Sequence, residues 1–104
     1  MISLRDRQNR QVRLTDERLA HLETDHPEMK GQASRIAETL ADLDRVVRSA
    51  TDSAAQLFYK LYPSTPVTTK FPCIVVKVLP NDNFIITSYY TDTVKKGVAL
   101  WEKK

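Results

Sequence analysis

The spacing of apolar residues changes once along the chain, after Asp44, and this change constrains the fold more than any other feature. Before it, Leu19, Leu22 and His26, and then Ile36, Leu40 and Leu43 with help from Ala33 and Ala37, recur at the interval that lines one face of a helix. After it, the stretches 46–49, 56–62, 73–79, 84–91 and 98–101 are rich in β-branched and aromatic residues and alternate with period two. A chain that is helical first and extended afterwards predicts an α+β fold, with two N-terminal helices packed on one face of an antiparallel sheet of about four strands.

Local signals place the boundaries. Thr15 followed by Asp16 and Glu17 reads as a helix N-cap with acids in the first turn, and Pro27 ends that helix at His26. Pro27-Glu28 opens the second helix, with Gly31 weakening its first turn. Residues 1–14 contain two short semi-apolar stretches and read as a hairpin or an ordered arm. Pro63 and Pro66 close the 56–62 strand. With 104 residues and no repeat or linker, the chain is expected to form one domain. Its 41% hydrophobic and 28% charged residues argue against disorder.

The two strands 73–79 and 84–91 allow a register to be written. Ile74, Val76 and Val78 form an apolar face; laying them beside Phe84 and Ile86 puts Val78 opposite Phe84, Lys77 beside Ile85, Val75 beside Thr87 and Cys73 beside Tyr89. The loop is then the three-residue turn Pro80-Asn81-Asp82. On this reading one face is core and the other carries Lys77, Thr87, Tyr89 and Thr91.

Several chemistries lack their residues. Cys73 is the only cysteine, so no intramolecular disulfide can form and a thiolate zinc site is short of ligands. Its apolar strand points to a buried, inert thiol. Gly31 and Gly97 are the only glycines, too few for a phosphate-cradling loop, and His21 and His26 are five apart, the wrong helical offset for a shared metal. No cofactor is expected. No apolar run approaches the roughly 20 residues that span a bilayer, and Met1-Ile2-Ser3-Leu4-Arg5 leads into charge, so a cytoplasmic protein without a membrane partner is expected.

The net charge of +3 is unevenly distributed. Residues 1–14 carry four Arg and one Asp, residues 15–44 three basic and eight acidic side chains, and residues 45–104 nine basic and four acidic ones. An acidic helical layer facing away from a basic sheet would suit an anionic partner such as RNA.

The order of the motifs Arg13-Leu14-Thr15-Asp16-Glu17-Arg18, His21-Leu22, His26-Pro27-Glu28, Val46-Val47-Arg48-Ser49, Leu57-Phe58-Tyr59, Val75-Val76-Lys77-Val78, 84–89 and Lys95-Lys96-Gly97 with Leu100-Trp101 resembles the phage- and bacteria-associated branch of the Barnase/EndoU/colicin/RelE-like RNases. The resemblance covers most of residues 12–101, through the serial arrangement rather than any one motif. It implies an RNA-cleaving fold that works without metal, often a toxin held by an antitoxin or immunity protein. It also implies a histidine from the helical part, His21 or His26; a basic residue from an early strand, Arg48; and a Ser/Thr-X-Tyr element, Thr87-Ser88-Tyr89.

Such cleavage has the ribose 2′-hydroxyl attack the adjacent phosphorus. It needs a base for that hydroxyl, donors or cations for the phosphorane, and an acid for the departing 5′-oxygen. Histidine suits proton transfer near neutrality. Arg48 and Lys77 would neutralise phosphate, Tyr59 and Tyr89 would stack bases or donate hydrogen bonds, and Ser49, Thr87 and Thr91 would contribute hydroxyls. Each of these types also has a plain structural role: solvated charge, strand packing or strand-face hydroxyl. The expectation is therefore a metal-independent endoribonuclease. The alternatives are a catalytically silent RNA- or protein-binding module on the same fold, and an inhibitor or adaptor that uses its acidic helices.

Overall fold

The computed structural model describes residues 2–60, 71–95 and 97–103. The expected ends at 61–66, and the role of Lys96, lie outside the described residues. The elements in order are β1 (Ile2–Arg5), β2 (Gln11–Leu14), α1 (Asp16–Asp25), a short 3-10 turn (Pro27–Met29), α2 (Ala33–Ala41), β3 (Arg45–Ser49), β4 (Ala55–Tyr59), β5 (Phe71–Leu79), β6 (Asp82–Thr91) and β7 (Gly97–Glu102).

Helix α1 starts where its cap predicts: the Thr15 side chain accepts the Arg18 N–H at 3.1 Å, and Asp16 and Glu17 occupy the first turn. It ends at His26, whose N–H bonds back to the Leu22 carbonyl at 2.8 Å. The second helix does not open at Pro27. Residues 27–29 form the 3-10 turn, and Gly31 takes a φ of +74°, outside helical space, before α2 begins at Ala33.

Among the described residues the sheet has seven strands rather than about four, and it is mixed rather than antiparallel. Its order is β1-β2-β6-β5-β4-β3-β7, with β2 parallel to β6 at Arg13↔Phe84 and all other neighbours antiparallel. The N-terminal hairpin accounts for part of the difference. Val12 and Leu14 alternate inward and are almost fully buried, so β1–β2 extends the main sheet instead of standing apart as an arm. Asp82 locks this junction by accepting from Arg13 Nε at 2.9 Å and from a terminal guanidinium nitrogen at 2.6 Å.

The β5–β6 register also departs from expectation at its turn end. Pro80 and Asn81 form a two-residue turn, so Leu79 pairs with Asp82, Val78 with Asn83 and Lys77 with Phe84. A bulge at Ile86 then restores the pairs Val75↔Thr87 and Cys73↔Tyr89. Phe84, Ile85 and Ile86 are all apolar, so alternation cannot set their phase. The structure buries Ile85, leaves Phe84 and Ile86 part-exposed, and places the Arg13 guanidinium over the Phe84 ring.

One face of the sheet packs on the helices. Leu22, Met29, Ile36, Leu40 and Leu43 meet Val12, Leu14, Val46, Phe58, Ile74, Val76, Ile85 and Tyr90 there. The sheet curls around α2 until the tip of the β1–β2 hairpin reaches the opposite edge, where the Arg7 guanidinium lies 3.9 Å from the centroid of the Trp101 ring on β7. The turn that presents Arg7 is stiff. Asp6 accepts the Gln8 N–H at 2.9 Å, the Arg10 N–H at 2.8 Å and Arg10 Nε at 2.7 Å, and Asn9 tolerates a φ of 61°.

The other face carries a second, smaller cluster of Val47, Leu57, Tyr59 and Cys73, flanked by Phe71, Val75, Tyr89 and Val94. Strands β6 and β7 run in the same direction, so their connection has to cross a face rather than turn back. It crosses this one: Val94 packs on the cluster and the Lys95 N–H donates to the Tyr59 hydroxyl at 3.1 Å.

Candidate functional site

Strand alternation, the Ile86 bulge and the β6–β7 crossing together shape a groove of about 400 Å³ on this second face. Ala55, Leu57, Val75 and Ile86 form its apolar part, Thr87, Tyr89 and Lys95 line it from β6 and the crossing segment, and the 49–52 turn closes the rest. The bulge matters because it keeps Thr87 and Tyr89 on the groove side while Ser88 turns inward, where its hydroxyl donates to the Cys73 carbonyl at 3.2 Å. In the 49–52 turn the Ser49 and Thr51 hydroxyls lie 3.2 Å apart, and Ser49 Oγ also accepts the Thr51 N–H.

Tyr89 is the hub of the site. The His26 ring centroid lies 5.4 Å from that of Tyr89, tilted by 34°, and Lys95 Nζ lies 5.4 Å from the Tyr89 centroid. The Tyr89 hydroxyl is buried, and among the described residues its polar neighbour is the Cys73 thiol. Burial, reinforced by that thiol, pushes the Tyr89 hydroxyl well above the ordinary phenol range, so it remains protonated at neutral pH.

The other expected site residues divide. Ser49 and Thr87 line the groove with Tyr89. Lys77 is on the same face, but its ammonium is committed to the Asp52 carboxylate, which it holds below the usual carboxylate range. Tyr59 is fully buried with its hydroxyl occupied by Lys95, so it is a packing residue of the second cluster and not a stacking platform. Thr91 ends β6 and closes a local turn, its hydroxyl donating to the Thr93 carbonyl and accepting the Thr93 N–H. Arg48 pairs with Gln56 on β4 and Val98 on β7; it shares the parity of the core residue Val46, so it is exposed on the helix side of the sheet, away from the groove.

The two histidines are also resolved from each other. His21 has a 61% exposed side chain, lies 3.7 Å from Glu17, and shares a shallow surface patch with Glu17, Ala20 and Thr24 of its own helix. His26, at the helix end beside β6, is 35% exposed and meets Tyr89. Three contributors carried no assigned role in the sequence reading: Lys95, Glu28 and Asp52. Lys95 was visible only as part of a Lys-Lys-Gly run, and Asp52 only among the four acidic residues of a basic segment. Set against protein families, curated proteins and solved structures, the chain matches none of them.

Proposed function

We propose that the protein is a metal-independent endoribonuclease whose centre is the ridge of His26, Tyr89 and Lys95 beside the groove. One observation carries the reading: a proton-transfer group and a cation flank the same tyrosine ring, at the edge of a groove with hydroxyls on its walls. In this reading His26 takes the proton from the 2′-hydroxyl as that oxygen bonds to phosphorus, Lys95 balances charge on the phosphorane, and the P–O5′ bond breaks with the departing 5′-oxygen taking a proton from solvent. Thr87 and Ser49 hydrogen-bond phosphate or ribose, and a base stacks against Tyr89. Arg48 has no part in it.

The test is cleavage of a structured RNA by purified protein in EDTA. Wild type is expected to cleave; His26→Ala should lower the rate at least about 100-fold, Lys95→Ala about tenfold or more, and His21→Ala should leave it unchanged. An intact RNA with wild type, or undiminished cleavage by His26→Ala, rejects the proposal. The commitment of Lys77 to Asp52 and the outward placement of Arg48 favour one second reading, a module that binds RNA without cutting it. That module would retain intact RNA on a column and release it steeply with salt.

A further inference from the structure

We propose that Glu28 is the positioning residue for His26: it holds the imidazole in the tautomer that carries its proton on Nδ1 and so leaves Nε2 free to accept one. The inference rests on the ribonuclease reading for its consequence, though its geometry stands apart from it. Glu28 Oε2 lies 3.9 Å from His26 Nδ1 and accepts the Tyr90 backbone N–H at 3.4 Å. That N–H belongs to the residue following Tyr89, on whose ring His26 stacks. One carboxylate thus grips the strand that carries the hub tyrosine and faces the ring that packs on it.

The carboxylate is placed by the fold and does not merely follow the histidine. Pro27 starts the 3-10 turn, Met29 is fully buried with its sulfur 3.9 Å from the Ser88 hydroxyl, and the Tyr90 hydroxyl donates to Gln32 Oε1 at 3.1 Å. These contacts fasten residues 27–32 to β6 on both sides of Tyr89. Strand β6 pairs with β2 only at Arg13↔Phe84, so at Tyr90 its outer edge receives this side chain. Of the other carboxylates nearby in sequence, Glu23 is occupied in accepting the Gly31 N–H at 3.0 Å. Lys95 Nζ, 5.4 Å from the centroid of the same Tyr89 ring, supplies positive charge to the site.

A histidine acting as a base becomes an imidazolium. A carboxylate beside Nδ1 fixes the reactive tautomer beforehand and stabilises the charge that then forms. At 3.9 Å the resting pair is an electrostatic contact, longer than a hydrogen bond, that favours the Nδ1–H dipole beside the carboxylate; catalytic contacts of this kind tighten in the substrate complex.

Two measurements on the full chain test this. In selectively ¹⁵N-histidine-labelled protein, with signals assigned by His21→Ala, neutral His26 should show the Nδ1–H tautomer in wild type. Glu28→Gln should keep it, because an amide oxygen still accepts, and Glu28→Ala should lose it. In RNA cleavage, Glu28→Ala should lower kcat on the order of 100-fold with KM changed less than about twofold, Glu28→Gln should fall between, and adding Glu28→Ala to His26→Ala should cost nothing further. If Glu28→Ala does not fold, the wild-type tautomer and the Glu28→Gln rate decide. An Nε2–H tautomer in wild type, or full kcat in Glu28 variants of an enzyme that His26→Ala silences, overturns the proposal and leaves the ribonuclease reading standing. Absence of cleavage by wild type rejects the ribonuclease reading instead, and the tautomer alone then decides whether Glu28 positions His26.

Discussion

Cys73 and Tyr59 are fully buried on the second face, and burial favours the protonated form of both. It pushes the Cys73 thiol up to about 11, and carries the Tyr59 hydroxyl further above its ordinary value. At pH 8 a thiol of that pKa is ionised in only about one molecule in a thousand, so iodoacetamide should label the folded protein at least ~100-fold more slowly than the protein in urea. Once unfolded, both groups lose their protons at lower pH than when folded. The folded state therefore binds more protons above about pH 9, and its stability should fall as pH rises through 9 to 11. Urea midpoints measured at intervals across that range would show the decline, and Tyr59→Phe should flatten its upper part. The sequence already pointed to an inert Cys73, because an apolar strand surrounds it. The burial of Tyr59 was not legible there, since the residue that satisfies its hydroxyl, Lys95, is 36 positions away.

At the level of elements, the sequence marked where helices give way to strands and where β5 and β6 run, but not how strands far apart in the chain meet. Alternation is a local signal, and it fails where three apolar residues follow one another at 84–86; there the two-residue turn and the bulge together set the faces. The parallel contact of β2 with β6 joins residues about 70 apart and has no turn to announce it. The face that Arg48 takes was not legible for a related reason: the side on which a five-residue strand presents a residue depends on partners the sequence does not identify. Glycine in β7 illustrates the same tight packing. A Cβ on Gly97 would come within 2.2 Å of the Arg48 carbonyl oxygen and 2.8 Å of a Val47 methyl. Gly97→Ala should therefore push β7 off β3 and cost about 1–3 kcal/mol, read as a lower urea midpoint with backbone shifts confined to β3 and β7. A change within about 0.3 kcal/mol would show that the strands separate without cost.

For the molecule as a whole, the uneven charge of the sequence does not persist as an exposed basic sheet. Arg10 pairs with Asp6, Arg13 with Asp82, Arg45 with Glu102 and Lys77 with Asp52, all within or between the segments that summed to positive charge. Lys60 and Lys103 meet Asp42 at the end of the acidic segment. The helical and extended halves are thus joined by ion pairs as well as by the core, and the groove takes its charge locally from Lys95. No helix among the described residues is long and apolar enough to cross a membrane. The curled sheet has a closure of its own in Arg7 over Trp101, and such a contact contributes about 0.5–1 kcal/mol. Arg7→Ala should shift tryptophan emission and raise amide exchange across residues 6–10 while leaving α2 protected; unchanged emission would show the contact to be incidental. Trp101 is the only tryptophan in the chain, and it stands where the first hairpin meets the last strand. The protein thus carries a built-in fluorescent gauge of whether the β1–β2 hairpin and β7 are latched together, one that can be read in real time without a label.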